Sequence, residues 1–157
     1  MQIEPLRPTL LFHSKMTSES PGTHFSLRIG NTISEMKKVV DLVERFGAAH
    51  NVSKKAVNEL NLCLDEILNN IISYGYDDKG LHSILVSLAL VGDLMIAEIV
   101  DDGKPFDPRQ ATPPDPSQGL GERKVGGLGL HFVNALMDKV DYSRKNGCNH
   151  LKLHKKL

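Results

Sequence analysis

Two aliphatic runs with only two residues between them constrain the fold of this chain more than any other feature. Residues 84–91 and 94–100 flank Gly92-Asp93, and such a link between two such runs signals a β-hairpin of adjacent antiparallel strands. A lone hairpin in water is marginal, so this one must belong to a larger sheet with something laid on its apolar face. What precedes it supplies the cover. Thr32-x-x-Glu35 has the form of a capping box, and Ile33, Met36, Val39, Val40, Val43 and Phe46 follow at helical spacing. Ser53 opens a second helix with the stripe Val57, Leu60, Leu64, Ile67 and Ile71, and Gly75 ends it.

The flanks extend the pattern. Residues 24–29 read as a first strand, and Leu130, Val133, Met137 and Val140 mark a third helix. Two more strands follow, around 140–144 and 150–153, turning at Asn146-Gly147. Between residues 103 and 125 the chain holds Pro105, Pro108, Pro113, Pro114 and Pro116 without usable periodicity, and loops of that length are commonly functional lids. The order strand, helix, helix, strand, strand, lid, helix, strand, strand predicts an α+β domain: a mostly antiparallel, mixed sheet covered on one face by about three helices. At 157 residues one domain is expected, spanning 24–157 with a lid at about 104–125. Residues 1–23, with Pro5, Pro8 and the Ser18-Glu19-Ser20-Pro21-Gly22 cluster, read as a loose N-terminal extension.

Charge narrows the partners. Lys+Arg 19 against Asp+Glu 19 leaves a formal net charge of +0, so nothing global draws the chain to nucleic acid or to an anionic membrane. The apolar stretch 84–100 is interrupted by Gly92-Asp93 and Glu98, which disqualifies it as a membrane span. The N-terminal apolar patch at 9–12 is too short for a secretory signal. Cys63 and Cys148 have no paired spacing for zinc or a redox dithiol. A reduced, cytoplasmic setting is expected.

Three short stretches carry candidate chemistry. Glu66 and Asn70 lie four apart on the second helix, on one face and about 5.4 Å apart along the axis, where a carboxylate and an amide can share a ligand. A solvated i,i+4 pair is the plainer account. Yet tandem Asn69-Asn70 inside an aliphatic helix is a mediocre choice for helix stability. Asp101 shares strand parity with Met95, Ala97 and Ile99, and Glu98 with Leu94, Ile96 and Val100. With Glu98 outward, Asp101 faces the helix-covered side, where it can accept from an exocyclic amino group, and Gly103 lets a ring approach the backbone. The plainer account is an ordinary Asp-Asp-Gly turn. Gly126-Gly127-Leu128-Gly129 precedes a helix, so its N–H groups and the helix dipole can meet phosphate oxygens, or the glycines serve only as a hinge. Arg123 and Lys124 just before it can reach a terminal phosphate or stay solvated. No Gly-Lys-Ser/Thr follows, so this is not a Walker A loop. His150 and His154 flank Lys152 on a terminal strand and read as surface residues rather than metal ligands.

Taken together, these stretches resemble the GHKL-type ATPases, and within them the bacterial anti-sigma-factor serine/threonine kinases of stress and sporulation switches. Glu66-x-x-x-Asn70 is similar to that family's N box, Asp101-x-Gly103 to its first glycine box, and Gly127-Leu128-Gly129-Leu130 to its second. The resemblance runs from about His24 to the C-terminus and implies a two-layer α/β sandwich, the Bergerat-type ATP-binding fold. It implies ATP and Mg²⁺ as cofactors, Glu66 as general base, Asn70 as the protein ligand to Mg²⁺ and Asp101 as the contact to the adenine amino group. Gly103 would pack near the base, and Lys124, Gly127, Leu128, Gly129 and Leu130 would serve the phosphates. The partners it implies are an anti-sigma-factor antagonist bearing a phosphoacceptor serine, a sigma factor, and a second copy of the chain; direct nucleic-acid or membrane partners are not implied.

Two departures stand out. Tyr74-Gly75-Tyr76 occupies the place where the family often has His-Gly-Tyr or His-Ala-Tyr, and Cys148-Asn149 the place of a threonine that joins the adenine network in relatives. The expected function is an ATP-dependent serine protein kinase acting as an anti-sigma factor. The rival is a non-catalytic ATP-binding module that grips a partner; a histidine kinase fragment is disfavoured by the lack of room for a dimerisation helix with its own phosphoacceptor histidine.

Overall fold

The computed structural model describes residues 24–110 and 127–157. The hairpin forms as its sequence predicts: β2 (Ser83–Val91) pairs antiparallel with β3 (Leu94–Asp101), Leu88 opposite Ala97. Strand β1 (His24–Gly30) adds to the outer side of β2, β5 (Cys148–Lys156) to the other side of β3, and β4 (Lys139–Lys145) lies beyond β5. The sheet order is therefore β1-β2-β3-β5-β4. All four pairings are antiparallel, so the expected mixed character is absent among the described residues. Asn146 and Gly147 turn β4 into β5 with φ of 51° and 80°, as a type I′ hairpin requires.

Helices α1 (Met36–Ala49), α2 (Lys54–Tyr74) and α3 (Gly127–Leu136) cover one face. Strand alternation sends Val86, Leu88, Met95, Ala97, Ile99 and Leu153 under them, all buried. The helices answer with Phe46, Leu60, Leu64 and Ile67, and Phe25 meets Phe46 edge to face at 5.5 Å. The opposite sheet face presents Ser87, Glu98 and Lys152, the parity expected of Glu98.

The helix ends differ from expectation in instructive ways. Ser53 caps α2, its side chain accepting from Ala56 N at 3.2 Å. Thr32 does not cap α1: it precedes a 3-10 turn (Ile33–Glu35), and Glu35 is engaged by Lys38 Nζ at 2.7 and 2.8 Å instead of closing a capping box. Ile33 and Val40 are exposed, and Leu42, outside the expected stripe, is buried. The third helix ends at Leu136, so Val140 belongs to β4, while β5 runs well beyond the predicted 150–153. Residues 1–23 and the lid segment 111–125 lie outside the described residues. The start of the predicted lid is described: Phe106 N donates to Tyr142 Oη at 3.3 Å, and Asn134 Nδ2 to the Pro108 carbonyl at 3.3 Å. Among the described residues no helix is long and apolar enough to cross a membrane.

Candidate functional site

The second helix places Glu66 and Asn70 on one face, and the fold sets the start of α3 against it. A Cβ at Gly129 would overlap Glu66 Oε2 and Cδ and lie 2.8 Å from Cγ. The helix N-terminus that the glycines open therefore packs directly on the Glu66 carboxylate, and a side chain at 129 fits only if that carboxylate swings aside. Leu130, one residue on, is buried and anchors that turn. Gly127 and Leu128 belong to the same first turn of α3. Lys124 and Arg123 lie outside the described residues.

The asparagines have local jobs as well. Asn69 Nδ2 donates to the Asp65 carbonyl at 2.9 Å and to Asp65 Oδ2 at 3.2 Å, and Asn70 Nδ2 donates to the Glu66 carbonyl at 2.6 Å. This back-bonding is how a helix tolerates asparagine in its interior. It also fixes the Asn70 amide, and among the described residues its Oδ1 makes no hydrogen bond.

Asp101 ends β3 on the covered side and is 4 % exposed, as strand parity predicts. Its Oδ1 accepts from Gly103 N at 2.8 Å and from Asn149 Nδ2 at 2.9 Å. Among the described residues its other oxygen, Oδ2, accepts no hydrogen bond. Burial pushes this carboxyl above the ordinary aspartate range, against the two bonds that hold it down. At Gly103 a Cβ would lie 2.8 Å from both Asp101 Oδ1 and the Gly75 carbonyl oxygen, so the turn closes only with glycine there. Lys104 N donates to that same Gly75 carbonyl at 2.7 Å and ties the turn to the end of α2.

Asn149 is the residue whose importance the residue pattern alone missed. The β3–β5 register sets it opposite Asp101, and it is 3 % exposed. Its Nδ2 also donates to the Lys104 carbonyl at 2.9 Å, while its Oδ1 accepts from Tyr142 Oη and Arg144 Nη1, both at 2.8 Å. Those two donors fix which end of the amide faces Asp101. Arg144 Nη1 also donates to the Gly103 carbonyl at 2.8 Å. The only hint in the sequence is the threonine position at which this chain has Cys148-Asn149.

Among the described residues no group of three or more His, Cys, Asp or Glu side chains is placed to hold a metal. A hard cation with one amide oxygen from the protein, completing its shell from water and phosphate, matches Mg²⁺ chemistry. Asn70 Oδ1, without a hydrogen bond among the described residues, could offer that one oxygen. Cys63 is buried, which pushes its thiol up to about 12 and makes it inert. His150 and His154 lie half-buried on the uncovered sheet face beside Glu98 (3.4 Å) and Asp141 (3.1 Å).

Comparison with known proteins agrees with this fold. The sequence profile of the histidine kinase-like ATPase domain matches residues 29–155. The serine/threonine-protein kinase BtrW of Bordetella bronchiseptica is 35 % identical over 94 residues, 60 % of this chain and 66 % of that protein. The serine-protein kinase RsbW of Halalkalibacterium halodurans is 32 % identical over 95 residues, 58 % of this chain and 57 % of that protein. The matches thus span less than two thirds of these relatives. The solved RsbU and RsbW domains of a Mycobacterium tuberculosis protein superpose with a TM-score of 0.58 at 20 % identity, over 84 % of this chain and 32 % of theirs, a likeness of fold.

Proposed function

The chain belongs to the histidine kinase-like ATPase domain family, and from that premise we propose that it is an ATP-dependent serine protein kinase that acts as an anti-sigma factor. Its substrates in this reading are ATP and a serine of an anti-sigma-factor antagonist, and it also sequesters a sigma factor in the cytoplasm. Residues 24–157 form the ATPase domain, with a lid at about 104–125, the 1–23 arm outside it, and a second copy of the chain as a further partner.

One observation carries the reading: the Glu66 carboxylate lies directly against Gly129 at the opening of α3. That is the arrangement a phosphoryl transfer needs, with a proton acceptor beside backbone N–H groups that can hold phosphate. In the proposed mechanism Asp101 accepts from the adenine amino group, Gly103 leaves room for the ring, and the 127–130 turn presents its N–H groups to the phosphates. Lys124 reaches the terminal phosphate. Asn70 would hold Mg²⁺ through Oδ1, and the ion would supply charge neutralisation at the phosphate oxygens. Glu66 takes the serine hydroxyl proton as the Oγ–P bond forms and the bond from the γ-phosphorus to the β–γ bridging oxygen breaks.

The test is phosphoryl transfer from radiolabelled ATP to the acceptor isolated from the source cell. Glu66→Ala is expected to lower transfer by roughly 10²–10⁴-fold while ATP still binds. Equal rates in the two proteins would remove Glu66 from the mechanism. Calorimetric ATP binding by the wild type with no acceptor phosphorylated would favour the non-catalytic module instead.

A further inference from the structure

The turn that carries Asp101 and Gly103 is gripped from outside by a histidine to which the reading above gives no role. His82 closes the connection from α2 to β2. Its Nε2 lies 2.8 Å from Asp78 Oδ1, and its Nδ1 lies 3.2 and 3.3 Å from the two oxygens of Asp102. The ring stacks on Tyr76, centroids 3.9 Å apart and planes within 17°. Its backbone is pinned: His82 N donates to Asn31 Oδ1 at 3.0 Å, and Asn31 N donates to the His82 carbonyl at 3.2 Å.

Carboxylates only accept, so both contacts are made together only when both ring nitrogens carry a proton. A neutral imidazole has one donor and one lone pair. It keeps one aspartate and turns the lone pair on the other, and the pinned backbone keeps the ring from moving away. Among the described residues the groups facing the ring are few. Asp78 and Tyr76 come from its own connection, and Asp102 comes from the turn after β3 with Asp101 behind it. Among the described residues Lys104 pairs with Asp77 at 2.6 Å, and Arg28 of β1 donates to Ser83 Oγ at 3.1 Å. Burial raises the Tyr76 phenol, which therefore stays neutral.

The geometry points to His82 as a positioning residue: its protonated ring clamps Asp102 against Asp78, holds the Asp101–Gly103 turn in place, and makes nucleotide affinity weaken as the ring loses its proton. Only the last clause rests on the nucleotide reading. The hydrogen bond to Asp78, followed by that to Asp102, raises the ring above the ordinary histidine value. The clamp is thus complete below that ordinary value and is lost as pH rises through the raised one.

The experiment follows the His82 ring protons and the Gly103 amide by NMR of the full chain, from about pH 5.5 to about pH 8.5. Calorimetry with magnesium ATP is run at both ends, for wild type, His82→Gln and Asp102→Asn. The Gly103 resonance is expected to track the ring in the wild type and to be flat in His82→Gln. ATP affinity should fall about threefold to tenfold across the range in the wild type, the effect of a differential pKa shift of up to about one unit, and stay within about twofold in His82→Gln. Asp102→Asn, which changes an exposed carboxylate, should lower the midpoint of the ring and uncouple Gly103. A Gly103 amide indifferent to the ring, or an undiminished pH slope in His82→Gln, overturns the clamp. If Gly103 tracks the ring but no ATP binds at any pH, the clamp stands and the nucleotide reading falls.

Discussion

A methyl group at Gly129 separates stability from chemistry at the scale of a single residue. The atoms it would meet are the far end of the Glu66 side chain, which can swing aside at small cost, and alanine is the better helix former by about 0.5–1 kcal/mol. Gly129→Ala is therefore expected to leave thermal stability unchanged or slightly raised. Phosphoryl transfer should fall on the order of 10²-fold, because a carboxylate displaced by about 1 Å no longer meets its proton. Equal loss of melting temperature and activity would show that the substitution unfolds the turn rather than displacing the base. The same separation explains why Glu66 and Asn70 were legible from spacing whereas Asn149 was not. The i,i+4 relation is local and written in the helix period. The partnership of Asn149 with Asp101 exists only through a strand register that no local pattern specifies.

Elements succeed or fail at their ends. Ser53 was readable as a cap because the helix begins immediately after it, with Ala56 N in reach. The Thr32 pattern misled because the chain enters α1 through a 3-10 turn and the Glu35 carboxylate is engaged by Lys38. At the other end of the layer a single lysine staples three elements. Lys155 Nζ on β5 donates to the Leu136 carbonyl that ends α3, at 2.8 Å, and lies 2.6 Å from Glu59 Oε2 on α2. Both side chains are less than one fifth exposed, so removing the cation leaves an uncapped helix end and a half-buried carboxylate with only the exposed Lys55, 3.9 Å away, as partner. Lys155→Met is expected to cost about 1–2 kcal/mol in denaturant unfolding. Since much of that is the orphaned Glu59 charge, Glu59→Gln in the same chain should recover part of it. Strict additivity of the two substitutions would refute the staple.

At the scale of the whole molecule the sheet order explains why a site drawn from residues 66 to 149 acts as one unit. Two hairpins were plain in the sequence, but β3 pairs with β5 rather than with its chain neighbour β4, and that crossover sets Asn149 opposite Asp101. Residues from α2, the β3 turn, α3 and β5 are thus held by one shared core, and a ligand touching them resists unfolding of all of it. A ligand that binds only the folded chain stabilises it by about 2.7 kcal/mol at a hundredfold excess over Kd. For a chain of this size that corresponds to a rise of roughly 5–10 °C in melting temperature. Magnesium ATP should give such a rise in the wild type and in Glu66→Ala, which lacks only the proton acceptor. Asp101→Asn should melt no lower than the wild type when empty, since it removes a buried charge while its side-chain oxygen still accepts from Gly103 N and Asn149 Nδ2. It should gain little from ATP, because an amide group beside the adenine offers a donor where an acceptor is needed. Scanning fluorimetry with and without magnesium ATP reads all three proteins at once. A wild type that melts at the same temperature in both conditions would mean that Asp101, Gly103 and Gly129 do not serve a nucleotide.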